Sequence, residues 1–169
     1  AELKAIDRGN DGSVRIGAMA KHRAVASFDG FDPGQAVVQE AAQVIGHPAI
    51  RNMGTIGGSI SHADAAADYP AALAAADAAI EIAGANARRE VGATDFFIDY
   101  LETALEPGEI VVGVRLPASA DAASAYAKFA RVEGDFATVA AMAMADRIEA
   151  VRAVLADIVE SSDLTMGVA

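Results

Sequence analysis

Ile50-Arg51-Asn52-Met53-Gly54-Thr55-Ile56-Gly57-Gly58-Ser59 is the stretch on which the reading of this chain turns. It sits within His47 to Ala67, a run without clear periodicity that carries apolar anchors at Ile50, Ile56 and Ile60. Long irregular segments inside compact domains are usually functional or disordered, and the anchors predict an ordered one. The paired glycines permit φ > 0 and close backbone approach, so consecutive N–H groups can converge on an anion or on sugar oxygens. Thr55 and Ser59 add hydroxyls on either side, a combination suited to a phosphate or a ribityl chain. No Lys-Ser/Thr pair follows, which excludes a Walker sequence, and the spacing is not that of the dinucleotide G-x-G-x-x-G pattern. Taken alone, Thr55-Ile56-Gly57-Gly58 is a weak signal that reads first as a tight turn between two core segments.

Working outward, Asn10-Asp11-Gly12 marks a turn before a strand at Val14 to Ala18, and a short helix is expected from about Ala20 to Ser27. Asp32-Pro33-Gly34-Gln35 carries a helix start, with Asp32 as N-cap, Pro33 at the first helical position and Gln35 three residues after the cap. Val37, Ala41, Val44 and Ile45 then form one apolar stripe, and Gly46 ends the helix in a left-handed conformation. Asp68 to about Ala78 is expected to be helical. Ile80 to Ile82 and Arg88 to Gly92 form strands around the turn Gly84-Ala85-Asn86. Asp95 predicts a capped helix running through Leu105 and stopped by Pro107-Gly108. Ile110 to Leu116 and Ala125 to Val132 read as strands. Ala137 to Ala145 is helical by propensity but strand-like if Gly134-Asp135 is a hairpin turn, and Ile148 to Val159 has a helical pattern.

A hydrophobic content of 53% over 169 residues is enough for a sizeable core. The formal net charge of -11 argues against sequence-independent nucleic-acid binding, which needs Lys and Arg to neutralise phosphates. The absence of cysteine excludes a disulfide, a thiolate nucleophile and a cysteine-ligated iron–sulfur cluster, so a redox role requires a bound cofactor. The Ala63 to Ala83 tract is interrupted by Asp64, Asp68, Asp77 and Glu81, which rules it out as a membrane span. With no signal-peptide pattern at Ala1-Glu2-Leu3-Lys4, a cytoplasmic protein is expected. His22, His47 and His62 lack metal-ligand spacing, and no Ser/His/Asp or paired-carboxylate arrangement points to hydrolysis. His62 lies close enough to the glycine turn to approach a ligand, Arg88-Arg89 reads as a solvated pair, and Lys128 on an alternating strand would ordinarily be solvated as well.

The string Arg51 to Gly58, then Ser61-His62-Ala63-Asp64 and Ala67-Asp68-Tyr69-Pro70-Ala71-Ala72-Leu73, resembles the second FAD-binding segment of the molybdenum hydroxylase flavoproteins, the medium subunits of aerobic carbon monoxide dehydrogenase and xanthine dehydrogenase type. Asp95-Phe96-Phe97, Thr103 to Ile110, Val114-Arg115-Leu116-Pro117, Tyr126 to Arg131 and Phe136 to Ala141 extend the resemblance over about Ile16 to Ala145. It implies an α+β fold: the second lobe of a vanillyl-alcohol-oxidase/p-cresol-methylhydroxylase-type FAD-binding domain, with an antiparallel sheet and flanking helices, over 1–117. The beginning of the flavoprotein C-terminal domain would occupy 118–169. The resemblance assigns Thr55, Ile56, Gly57, Gly58 and Ser59 to the FAD-binding turn, Asp68 to a cofactor hydrogen bond, Val111 to an apolar flavin-side contact and Lys128 to the flavin or its phosphates. Asp68 is also a candidate N-cap for the following helix. Partner subunits would hold the molybdenum cofactor and 2Fe-2S clusters, from which the flavin carries electrons to an acceptor such as quinone or NAD.

The chain also departs from that pattern. Ala65 stands where relatives often have proline, and the helical tail after Asp146 replaces an expected strand and Gly-Gly turn. Nothing in 1–49 matches the Gly-Gly-x-Ser-Leu loop of the family's N-terminal lobe, so the expectation is a chain that starts after that lobe and carries about half of the FAD site. The alternative is a non-catalytic assembly or interaction domain of the same fold that binds no flavin. A related FAD oxidase working without molybdenum is disfavoured by the Asp95 to Pro117 signature.

Overall fold

In the computed structural model, which describes residues 2–145, alternation of apolar and charged residues builds one antiparallel sheet with helices on a single face. Its strands are β1 (Ile6–Arg8), β2 (Val14–Gly17), β3 (Ala79–Ala83), β4 (Arg88–Gly92) and the longer β7 (Ile110–Leu116), in the order β1-β2-β7-β3-β4. Val14, Ile16, Ile80, Ile82, Val114 and Leu116 point inward and are buried. The outer face pairs charges across neighbouring strands, Arg15 with Glu81 at 2.7 Å and Arg115 with Glu90 at 2.5 Å. That arrangement separates Arg15 from its own register partner Arg115 electrostatically.

Helices α1 (His22–Ala26), α2 (Ala36–Val44), α3 (Pro48–Met53), α4 (Ile56–His62) and α5 (Asp68–Ala75) cover the inner face, with Val37, Ala41, Ile56, Ile60, Tyr69 and Leu73 fully buried among them. The short α6 (Ala93–Phe96) leads into a small hairpin of β5 (Phe97–Asp99) and β6 (Glu102–Thr103). A second hairpin, β8 (Ala123–Phe129) with β9 (Val139–Ala145), forms a separate two-stranded sheet. Tyr126 and Met142 of this hairpin pack against the main core.

Three expectations are corrected. The 47–67 run is not irregular: Pro48 at the first position starts α3, and Thr55 caps α4 by accepting from Gly58 N at 3.2 Å. The helix expected from Asp95 to Leu105 stops at Phe96, and Asp95 lies inside it. Phe96 is fully buried and its carbonyl accepts from Ala104 N at 2.9 Å, so the chain must reverse, with Leu101 at φ 58°. Asp32 is not a cap either. Its carboxylate is taken by Arg8 at 2.5 Å and by Ser119 N at 3.2 Å, while Gln35 Oε1 accepts from Asp32 N and α2 begins at Ala36. The left-handed Gly46, at φ 51°, and the Gly134 turn, at φ 81°, are found as expected, the latter making 139–145 a strand. The helical pattern at Ile148 to Val159 lies outside the described residues.

The pairing of β3 with β7 is irregular: its register shifts between Glu81 and Ile82, so that Glu81 faces Gly113 whereas Ile82 faces Val111. Without this bulge Val112 would share the inner face with Val114. With it, Val111 turns to the helical side and joins the edge of the core.

A Cβ at Gly57 would sit 2.6 Å from Ala18 Cβ and 2.7 Å from Ala18 O. Gly57→Ala should therefore lose about 1–3 kcal/mol in urea unfolding through forced backbone displacement. Gly58→Ala, whose Cβ meets only Thr55 Oγ1 at 3.1 Å, should stay within about 1 kcal/mol of the parent. Equal losses would mean that α4 does not rest on Ala18.

His22 is buried, its Nδ1 lies 3.2 Å from Tyr69 Oη, and burial, then nearby Lys21, pushes its pKa down to about 4. The unfolded chain takes up this proton near the ordinary value of 6.5, before the folded protein does. His22's stabilisation is thus complete above that value and declines as pH falls from there toward 4. Unfolding free energies at successive pH values should show a loss of about 2–3 kcal/mol in this window that His22→Gln abolishes. An unchanged slope in the variant would rule out His22 as the source.

Candidate functional site

Where β2 ends, Ala18 and Ala20 offer their carbonyls to the start of α4: Gly57 N donates to Ala18 O at 2.8 Å and Ile56 N to Ala20 O at 3.1 Å. Gly58 N goes to Thr55 Oγ1 and Ser59 N to Thr55 O, so all four donors of the first turn have protein acceptors. The φ > 0 turn expected from the sequence, with consecutive N–H groups converging on an anion or on sugar oxygens, is therefore corrected to a capped helix start. Both glycines are helical, and neither is among the glycines with positive φ.

The glycines serve a different geometry. Gly57 permits the backbone contact with Ala18, and Gly58 is exposed on an open groove of about 330 Å³. Ala18, Met19, Thr55 and Ser61 surround the bare Gly58 backbone, and Leu105, Ile110 and Val111 form the opposite apolar wall. Ile110 is 60% exposed and Met19 47%, leaving an apolar rim with nothing packed on it. Thr55 Oγ1 accepts inside the helix turn and keeps its own hydrogen for an outside acceptor.

Glu109 is the one ionisable group among the described residues lining the groove. Arg89 donates to both of its oxygens, at 2.8 and 2.6 Å, and Glu106 N adds a bond of 2.8 Å. The Arg89 hydrogen bonds, then that of Glu106 N, pull its pKa down to about 2. Arg89 also donates to Ala104 O at 2.6 Å, so it clamps the 104–109 turn carrying the apolar wall. This corrects its reading as part of a solvated pair.

The expected site residues divide into two places. Thr55, Gly57, Gly58 and Val111 meet in the groove, whereas Ile56 is fully buried beneath it and Ser59 does not line it. Asp68 and Lys128 lie elsewhere, paired to one another at 3.0 Å with their side chains 6% and 8% exposed. Tyr126 donates its hydroxyl to Asp68 Oδ1, and its phenol is pushed upward by burial, then by that carboxylate. Lys128 is thus not a solvated strand residue, and Asp68 is the first residue of α5 after Ala67, not its cap. His62 is exposed and does not line the groove. Sequence reasoning missed Ser61, Met19, Ile110 and Glu109. Ser61 was accessible as the residue three after Gly58, had the segment been read as helix. Among the described residues no cluster of three or more His, Asp or Glu could hold a metal, and no helix is long and apolar enough to cross a membrane.

An uncovered backbone at Gly58, flanked by hydroxyls and facing an apolar wall, fits the chemistry of a flat organic cofactor with polar attachments, because a Cβ there would fill the cradle. Comparison with known proteins points the same way. Residues 1–119 match the family model described as the FAD binding domain in molybdopterin dehydrogenase. The carbon monoxide dehydrogenase medium chain of Hydrogenophaga pseudoflava is 39% identical over 138 residues, 81% of this chain and 48% of the relative. The 6-hydroxypseudooxynicotine dehydrogenase complex subunit alpha of Paenarthrobacter nicotinovorans is 34% identical over 131 residues, 77% and 44% of the two chains. The reconstituted CO dehydrogenase from Oligotropha carboxidovorans superimposes with a TM-score of 0.79 at 34% identity, covering 85% of this chain and 50% of that one. The chain spans about half the length of the curated relatives it matches. With the family model matching residues 1–119 and the backbone superposing on a solved relative, the chain belongs to the family of FAD-binding domains of molybdopterin dehydrogenases.

Proposed function

We propose that this chain provides one wall of an FAD site in the flavoprotein subunit of a molybdenum hydroxylase, a cytoplasmic hetero-oligomer whose other subunits hold the molybdenum cofactor and 2Fe-2S clusters. Bound FAD would supply reversible electron uptake, passing electrons from the clusters to an acceptor such as quinone or NAD. The observation that carries the reading is the bare, exposed Gly58 backbone between the Thr55 and Ser61 hydroxyls, opposite Val111 and Ile110. The chain's own contribution is to bind and orient. Thr55 and Ser61 donate or accept at sugar oxygens, Val111 and Ile110 cover a ring face, and Leu105 with Met19 excludes water. On this reading the chain would form the second lobe of a vanillyl-alcohol-oxidase/p-cresol-methylhydroxylase-type domain, a reading supported by the antiparallel sheet with its flanking helices. A division near 117 is supported by the main sheet ending at Leu116 and by the separate β8–β9 sheet.

In the full-length protein, Gly58→Val should raise the FAD dissociation constant at least about tenfold, because the branched side chain occupies the space the cofactor needs. Flavin fluorescence titration measures this, with far-UV circular dichroism to confirm the fold. A variant that kept its full flavin complement would show that the groove is not the contact surface.

Asp68 and Lys128 enter this proposal with their mutual pair intact, sharing spare hydrogen-bonding capacity with the cofactor. Removing one leaves the other charged and buried. Asp68→Ala should destabilise the fold by about 3–5 kcal/mol, and adding Lys128→Met should recover at least half of that in denaturant melts. Loss of FAD affinity persisting in the stable double variant identifies the cofactor role, while normal affinity there would confine both residues to holding β8 against α5.

A further inference from the structure

Resting on the FAD-binding reading, we infer that Met19 is a modification site, at which hydrogen peroxide converts the thioether to a sulfoxide and so turns down cofactor binding in the groove.

Met19 is held where a small oxidant can reach it. Its side chain lines the groove and is 47% exposed. Its backbone is fixed: Met19 N donates to Leu3 O at 2.7 Å, Ala18 N to Val112 O at 3.1 Å, and the carbonyls of Ala18 and Ala20 accept from Gly57 and Ile56. The segment therefore cannot withdraw the sulfur into the core. In the reaction a sulfur lone pair attacks one peroxide oxygen and the O–O bond breaks. The other oxygen leaves as water with both hydrogens, sulfur having lost two electrons and the peroxide gained them.

Exposure alone does not single out this methionine, because Met53 is 75% exposed. What differs is the consequence. Met53 ends α3 with its carbonyl held by Lys21 Nζ at 2.6 Å, and its side chain is not among the described residues lining the groove, so its sulfoxide stays in water. At Met19 the new oxygen is a strong acceptor placed on an apolar rim. Leu105, Ile110 and Val111 opposite have no donor side chain, and Glu109, ionised by Arg89, can only accept. The hydroxyl donors of the groove are Thr55 and Ser61. A sulfoxide that pairs with one of them takes it from the ligand, and one that does not is buried unpaired beneath it. Both routes cost affinity. Sulfoxides are reduced enzymatically, which makes the change reversible.

The test treats the full-length protein, free of flavin, with hydrogen peroxide, maps sulfoxides by mass spectrometry and titrates FAD by fluorescence before and after. Sulfoxide at both Met19 and Met53 is expected, with FAD binding about tenfold weaker, the factor for one buried acceptor left unpaired. Methionine sulfoxide reductases acting on both epimers should restore it. Each variant is compared with its own untreated state. Met53→Leu should keep the tenfold loss on oxidation and Met19→Leu should show none, whereas an equal loss in Met19→Leu overturns the inference. So does a Met19 that stays reduced while Met53 is oxidised. In protein loaded with FAD before treatment, oxidation of Met19 should slow and that of Met53 should not, and equal rates with and without FAD at Met19 would place it outside the site. Failure of the untreated protein to bind flavin sinks the FAD reading itself, while flavin binding indifferent to the Met19 sulfoxide sinks this inference alone.

Discussion

The segment Gly17 to Ala20 is hemmed in from two sides, and the rest of the molecule is arranged around that confinement. On one side Gly17 N reaches Ala5 O and Met19 N reaches Leu3 O, and a Cβ at Gly17 would lie 2.4 Å from the Leu3 carbonyl. On the other, Ile56 and Gly57 donate to Ala20 and Ala18. Two missing side chains, at Gly17 and Gly57, allow three pieces of backbone to pack in successive layers. A helix as short as α4, with two glycines, is weak by propensity. It forms because Thr55 caps it, because its first N–H groups end on a fixed strand, and because Ile56 and Ile60, one turn apart, are both fully buried.

The opposite wall of the groove comes from a different device. Gly113 leaves room on the outer face for the Arg15–Glu81 pair, since a Cβ there would lie 2.5 Å from Glu81 Oε2. Beside it the bulge turns Val111 inward. Arg89, reaching from β4 to Glu109 and Ala104, then fixes the turn preceding β7. The bidentate geometry supplies direction as well as energy, so the site owes its shape to a strand irregularity and one ion pair as much as to the glycine motif.

These devices explain which parts were legible in the sequence. Ile80 to Ile82 declares itself by period-two alternation, with one face buried and Glu81 on the other, whereas Ile110 to Leu116 declares itself as a β-branched run whose bulge leaves no alternation to read. Part of the glycine string lines the groove, but its conformation is helical and not the φ > 0 turn expected from the sequence: helices of six or seven residues span fewer than two turns, too short for periodicity to register. Asp32 and Asp95 show the other limit. Both have the local look of a cap, yet Asp32 is claimed by Arg8, twenty-four positions away, and α6 is cut short by the burial of Phe96. Local signals rank the options, and long-range partners choose among them.

The buried Asp68–Tyr126–Lys128 cluster extends the same logic to the β8–β9 hairpin. Ser124 Oγ donates to Pro33 O and accepts from Val37 N, Tyr126 N donates to Glu40 Oε2, and Lys128 joins Asp68. Alternate residues of β8 thus engage the loop before α2, then α2 itself, then α5. An apolar strand could slide along these helices at small cost, because hydrophobic contact is non-directional. A row of paired polar groups at a two-residue interval cannot, since a one-residue slip would aim each of them at the wrong face and leave Asp68 charged and alone. The cluster therefore fixes the register of the hairpin on the helical layer, and it does so with the same two charged side chains that the family resemblance assigns to the cofactor.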